Sequence, residues 1–211
     1  MNKKFLAILA FGTVVAFAGV GQVQAQTSAQ ATTLEDVMSD LRGGGMVILM
    51  RHANSPSGQS GSVGMTKDCV LQNGRGLDSE GFFQARFIGE FFRDAEVPIG
   101  GAFTSDMCRA WDTARLVAGN TRVVPSQALK TTNLGTIDAF KATINGSMAA
   151  DPSTNFLLVS HSNIVPLYSD WGNETEIPSG VVLLVDPKDW TVKNKLNLNI
   201  DLSAGTGGAT Q

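Results

Sequence analysis

The chain has 211 residues, 43% of them hydrophobic and 17% charged, with 16 basic against 19 acidic side chains and a formal net charge of −3. That is the size of one ordinary domain with enough apolar content for a core, and no basic stripe marks a nucleic-acid partner. Two cysteines and two histidines are too few for a disulfide scaffold, and they form neither CxxC nor Cys/His metal-ligand spacing.

The first segment reads as a targeting signal. Lys3 and Lys4 precede an almost unbroken apolar run from Phe5 to Val20, and Val23-Gln24-Ala25 supplies small residues at a cleavage spacing. This is the order of a secretory signal peptide over residues 1–25. The apolar run, interrupted by Gly12 and Gly19, is shorter than the roughly 20 residues a membrane span needs. Cleavage after Ala25 would leave 186 of the 211 residues, starting at Gln26, and take the charge from −3 to −5 by removing two lysines. The expectation is an exported protein, periplasmic or secreted, with no stable membrane insertion afterwards. In an oxidising compartment an even cysteine count favours a Cys69–Cys108 disulfide over two unpaired thiols.

Residues 26–32 are small and polar and read as a flexible leader to a domain spanning 33–202. Leu34, Val37, Met38 and Leu41 have helical spacing, which Gly43-Gly44-Gly45 ends. Met46–Met50 is a continuous apolar run, the mark of a strand buried on both faces, and Arg51 and His52 come directly after it. Ala53–Gly76 reads as a long loop, often a functional feature. Asp78 can cap a helix to about Asp94, with Phe83, Phe87, Ile88, Phe91 and Phe92 as its apolar positions.

A short strand Ala102–Thr104 ends at Ser105, a helix over 106–117 carries Arg109, and Arg122–Val124 is a third strand. Helical sequence covers 137–148. Phe156–Val159 is a second doubly buried strand, ending at Ser160-His161, and Pro166–Trp171 suggests a brief helix. Val181–Val185 and Thr191–Leu198 flank Asp186-Pro187-Lys188-Asp189 as a hairpin. From Ser203 to the end the sequence is a Gly/Ala/Thr tail expected to be disordered. Alternating strands and helices predict an α/β three-layer sandwich with a mainly parallel central sheet.

Both histidines come after doubly buried strands. Ligands of open parallel sheets bind beyond the carboxyl ends of the strands, so His52 and His161 can meet in one crevice. Arg51 adjoins the first, and Arg109 lies one turn into a helix whose N-terminus favours anions. Singly, each has an ordinary structural reading: a hydrogen-bonded histidine, or an arginine on a solvated face. Together, two guanidinium groups and two imidazoles describe a dianion pocket with a nitrogen nucleophile, the chemistry of phosphoryl transfer.

Three stretches resemble the histidine phosphatase superfamily, the phosphoglycerate mutase-like proteins. Val47-Ile48-Leu49-Met50-Arg51-His52-Ala53 is similar to its strand-R-H-G signature. Phe103–Ala114 is similar to its S-P-x-x-R-A-x-Q-T-A helix, and Leu158–Asn163 to its second-histidine motif. The resemblance implies that His52 is the nucleophile that becomes phosphohistidine. It implies that Arg51, Arg109 and His161 complete the phosphate site, that Asn163 contacts substrate, and that neither metal nor cofactor is needed.

The departures are Ala53 for glycine, Asp106 for proline, Asp112 for glutamine and Ser162 for glycine. The general acid is the wider gap. Many members carry a glutamate in the region that reads Thr132–Asp138 here, with Asp138 its only carboxyl group. Asp138, Glu174 and Glu176 are the rival candidates, with Glu176 preferred because it precedes Val181 in a loop that can overhang the crevice. The expected function is hydrolysis of small phosphomonoesters; a family member that binds a phosphorylated ligand or partner without turnover is the alternative.

Overall fold

The computed structural model describes residues 33–56, 75–171 and 177–198. The signal segment, the leader, the tail, Cys69, Glu174 and Glu176 lie outside them. Thr33 opens α1 (Leu34–Gly43) with a capping box: its hydroxyl accepts from the Asp36 N–H while the Asp36 carboxylate accepts from the Thr33 N–H. Gly44, at φ 77°, ends the helix. A Cβ there would stand 2.3 Å from the Ser153 carbonyl carbon, so only glycine fits this turn into β1 (Val47–Arg51).

Asp78 caps α2 (Ser79–Asp94), its carboxylate accepting from the Gly81 N–H at 2.8 Å. Then come β2 (Ile99–Thr104), α3 (Cys108–Ala118), β3 (Val123–Pro125), a 3-10 turn over Gln127–Leu129 and α4 (Leu134–Ala150). After α4 come β4 (Asn155–Ser160), a second 3-10 turn over Val165–Leu167, and the hairpin β5 (Val181–Val185) and β6 (Val192–Asn197).

The six strands form one sheet in the order β3-β2-β4-β1-β5-β6. β3, β2, β4 and β1 run parallel, while β5 pairs antiparallel with β1 and with β6. Both faces are covered. Ile48, Met50, Leu157, Val159, Val182 and Leu184 pack against residues of α1, α2 and α3. The alternate positions Val47, Leu49, Phe156, Leu158, Leu183 and Val185 pack against Ile137, Ile144 and Met148 of α4. This is the three-layer sandwich that the continuous apolar runs predict, since a strand covered on both faces has no polar side. Among the described residues no helix is long and apolar enough to cross a membrane.

Three local expectations are corrected. The buried face of α2 is Gly81, Ala85, Ile88, Gly89 and Phe92, whereas Phe82, Phe83 and Phe87 are exposed. Close backbone approach explains this: a Cβ on Gly81 would fall 2.0 Å from the Asn54 carbonyl oxygen, and one on Gly89 2.2 Å from that of Leu116. Small residues must therefore face inward. α3 starts at Cys108, two residues later than expected, and the segment read as a helix over Pro166–Trp171 is the 3-10 turn Val165–Leu167.

Asn155, fully buried, ties three segments together at the start of β4. Its amide nitrogen donates to the carbonyls of Leu41 (2.7 Å) and Pro98 (3.0 Å), and its oxygen accepts from the Met46 N–H at 3.1 Å. Asn155→Ala would strand the Met46 N–H, at about 1–3 kcal/mol, because the Pro98 and Leu41 carbonyls still accept from the backbone N–H groups of residue 155 and Gly44. We expect a loss of about 1–3 kcal/mol by urea denaturation; a loss well under about 1 kcal/mol would mean water replaces the amide.

Candidate active site

Strand register brings the site together. In the parallel pair β1–β4, Arg51 lies opposite Ser160; in β2–β4, Thr104 lies opposite Val159. The next residue of each strand therefore emerges at the same edge of the sheet: His52, His161 and Ser105. The His52 N–H donates to the Ser160 carbonyl (2.9 Å) and the Ser105 N–H to that of Val159 (3.2 Å), extending the ladder past the strand ends. The two imidazole centroids are 5.4 Å apart with their planes at 63°, and both rings are buried.

Hydrogen bonds fix which nitrogen of His52 carries its proton. Nδ1 is 2.7 Å from the Ala53 carbonyl oxygen, which can only accept, so Nδ1 bears the hydrogen. Nε2 then presents a lone pair, on which Arg109 Nε donates at 3.0 Å. The Ala53 peptide is itself held, its N–H donating to Thr113 Oγ1 at 2.9 Å while that hydroxyl donates to the Arg109 carbonyl at 2.7 Å. Arg109 Nη2 also lies 3.4 Å from His161 Nδ1, and His161 Nε2 lies 2.7 Å from Ser105 Oγ. One guanidinium thus bridges both rings. Arg109 is the second residue of α3, whose start has no side-chain cap, and the positive end of that helix adds to the site's attraction for anions.

Arg51 donates through Nη1 to the Ile177 carbonyl at 3.0 Å. Arg75 donates from Nε to Ser55 Oγ at 2.9 Å, and its charge reaches both Arg109 and His161. Burial and the crowding of cations together shift the pKa of each of these groups. Burial, then Arg75 and Arg51, bring Arg109 down to about 10. Burial is also the largest cause for both imidazoles, with Arg109 the strongest of the neighbouring charges, and each pKa falls from 6.5 to about 3. Both rings are therefore neutral at physiological pH, as a nitrogen nucleophile requires.

Of the candidates that remain, Asn163 and Asp138 are exposed, and Glu174 and Glu176 are not among the described residues. Asn163 is exposed in the turn two residues beyond His161. Asp138 is exposed on α4, where its charge acts on Lys141. Glu174 and Glu176 lie outside the described residues, although Ile177, next to Glu176, is buried and bonded to Arg51. Cys108 is buried at the start of α3, and its proposed partner Cys69 is not among the described residues. Among the described residues no group of three His, Cys, Asp or Glu could hold a metal ion.

Sequence reasoning overlooked Ser105 and Thr113 as site residues. Ser105 and Thr113 stand inside the second motif, so their positions around Arg109 were the available signal. Arg75 sits in a glycine-rich loop with nothing local to mark it.

The family model for the histidine phosphatase superfamily, branch 1, matches residues 47–155, just over half of the chain. The chain belongs to that superfamily. The match takes in Arg51, His52 and Arg109 and stops short of His161. Members of this superfamily are generally phosphatases or mutases acting on phosphorylated small molecules. Among solved structures, the chain is similar to the protein histidine phosphatase SixA complexed with tungstate. The two are 17% identical over 72% of this chain and 97% of that one, with a TM-score of 0.55. It is also similar to phosphoglycerate mutase from Bacillus anthracis str. Sterne, at 15% identity, 72% and 94% coverage and a TM-score of 0.54. These likenesses carry the phosphoglycerate mutase-like fold. No curated protein matches the chain.

The neutral rings give a pH prediction with a definite sign. An unfolded histidine titrates near 6.5 and these titrate near 3 in the fold. Their contribution to stability is complete above 6.5 and is lost as pH falls toward 3. Histidine ring NMR of the ligand-free protein should show no titration between about pH 5 and 8. A midpoint near 6.5 for either ring would contradict the burial argument.

Proposed function

We propose that this chain is an exported phosphatase that hydrolyses phosphomonoesters through a phosphohistidine on His52. The observation that carries the reading is the His52 Nε2 lone pair, fixed by the Nδ1–H to Ala53 bond and surrounded by His161, Arg109 and the charge of Arg51. In the resting site Arg109 Nε occupies that lone pair. An arriving phosphoryl oxygen takes over the guanidinium N–H groups, which frees Nε2 to face phosphorus in line.

The N–P bond forms as the ester P–O bond breaks, and Arg51 and Arg109 neutralise charge on the equatorial oxygens, with the neutral His161 ring beside them. The leaving oxygen takes its proton from a carboxylic acid or from water. Glu176 is the preferred donor, since its chain neighbour Ile177 is bonded to Arg51; Glu174 and Asp138 are the alternatives. Water then attacks phosphorus, giving a proton back to the group that protonated the leaving oxygen, the P–N bond breaks, and inorganic phosphate leaves with His52 neutral again. Asn163, exposed two residues after His161, contacts substrate in this reading. A mutase would need a second phosphorylated substrate, scarce outside the cytoplasm, so hydrolysis is preferred.

Export is inferred from the signal-like residues 1–25, and with it a periplasmic or secreted location and the Cys69–Cys108 disulfide. N-terminal sequencing of exported protein should begin at Gln26, and non-reducing mass measurement should be two hydrogens lighter than the dithiol form; a retained leader or two free thiols would remove this part.

For the chemistry, rapid quench with a labelled phosphate ester should trap an acid-labile, alkali-stable phosphoenzyme. His52→Ala should lower turnover by at least about 10³-fold, and chelator should leave the wild-type rate unchanged. Full activity in His52→Ala would end the nucleophile assignment.

A further inference from the structure

Beside the imidazole pair lies a cavity of about 430 Å³ lined by Met107, Gln127, Lys130, Thr131 and Thr136. It adjoins the reacting centre through Met107, whose sulfur is 3.2 Å from Arg109 Nη2 and whose N–H donates to Ser105 Oγ at 3.4 Å. Its floor is rigid. The 3-10 turn Gln127–Leu129 is tied to the core by Ser160 Oγ donating to the Leu129 carbonyl (2.6 Å) and Tyr168 OH to that of Ala128 (2.8 Å). A fixed wall with an ammonium, an amide and two hydroxyls is a polar site for the part of the substrate that departs.

The charge of that wall is set by Asp106. Lys130 Nζ lies 2.6 and 2.7 Å from its two carboxylate oxygens, and Gln127 Nε2 donates to it at 2.9 Å. Burial opposes ionisation of Asp106, but hydrogen bonds from Lys130 and Gln127 outweigh it and hold the carboxyl below its usual range. The ammonium is therefore matched by a carboxylate, and the cavity is close to neutral. The positive charge of Arg51, Arg75 and Arg109 gathers instead at the phosphoryl site.

We propose that this cavity receives the leaving group, and that the Asp106–Lys130 pair makes it select substrates whose one anionic group is the scissile phosphate. The class is phosphomonoesters of neutral, hydroxyl-bearing alcohols. Esters with a second phosphate or a carboxylate on the leaving group are disfavoured, because Asp106 already holds the ammonium that would meet it. The inference rests on the phosphatase reading above.

Glycerol 3-phosphate and 3-phosphoglycerate test it, since they differ mainly in a hydroxymethyl against a carboxylate. Phosphate release is followed in the wild-type background. Binding is followed by calorimetry in a His52→Ala background, where turnover cannot interfere. The unmodified cavity should favour glycerol 3-phosphate. Asp106→Asn, which frees Lys130, should shift the binding ratio about fivefold toward 3-phosphoglycerate, the order of one partly exposed charge pair. Lys130→Met, which leaves the carboxylate unmatched, should shift it the other way. Ratios unchanged in both variants, or no binding of either ester, would overturn the selection. A shifting ratio with no phosphate release from the wild type would instead remove the hydrolase reading, and with it the leaving-group role, and leave only the cavity's preference for ligands without a second anionic group.

Discussion

The site depends on the parallel pairing of β1 with β4. That register sets Arg51 beside Ser160, and one residue further along each strand two imidazoles leave the sheet at the same level and face each other. A slip of one residue would turn one ring into the opposite layer of the sandwich, because side chains alternate between faces along a strand. The register is protected by the apolar residues themselves. Val47–Met50 and Phe156–Val159 are buried on both sides of the sheet, so the hydrophobic packing that stabilises the fold also fixes the distance between the histidines.

Against that rigid edge the electrostatics are unfavourable by construction. Arg51, Arg75 and Arg109 converge on two buried rings, with Asp106 the only described carboxylate that raises either ring's pKa, through His161. Such a cluster costs stability in the empty protein and is relieved when a dianion enters, the usual relation between a prearranged site and the fold that carries it. Arg109 moderates the empty state by donating to His52 and spanning toward His161. The same contacts are those an oxyanion would take over. Thr113 and the Ala53 peptide do not touch the reacting atoms in this scheme; they hold the His52 ring with its lone pair facing outward.

Much of this was legible in the sequence because the informative residues are local. Continuous apolar runs announced doubly covered strands, and the histidines stood directly at their ends. Asp78 announced the start of α2, and Asp186–Asp189 the β5–β6 turn. What sequence could not supply was distance. The inward face of α2 is chosen by how closely its backbone meets Asn54 and Leu116, a tertiary fact that reversed the assignment of Phe83 and Phe87. Arg75 reaches the site from a loop, and Asp106 finds Lys130 across 24 residues; neither pairing has a local signature. The late start of α3 has a similar origin, with Ser105 held by His161 and Asp106 by Lys130 before the helix begins.

The central claim is that His52 Nε2 and the groups around it grip a tetrahedral phosphoryl group at the end of β1. A crystal structure of the protein saturated with orthovanadate tests it most directly. The account predicts vanadium bonded to His52 Nε2, with its oxygens contacted by Arg51, Arg109 and His161. Vanadate absent from that crevice at saturation, or bound without contact to His52, would contradict it.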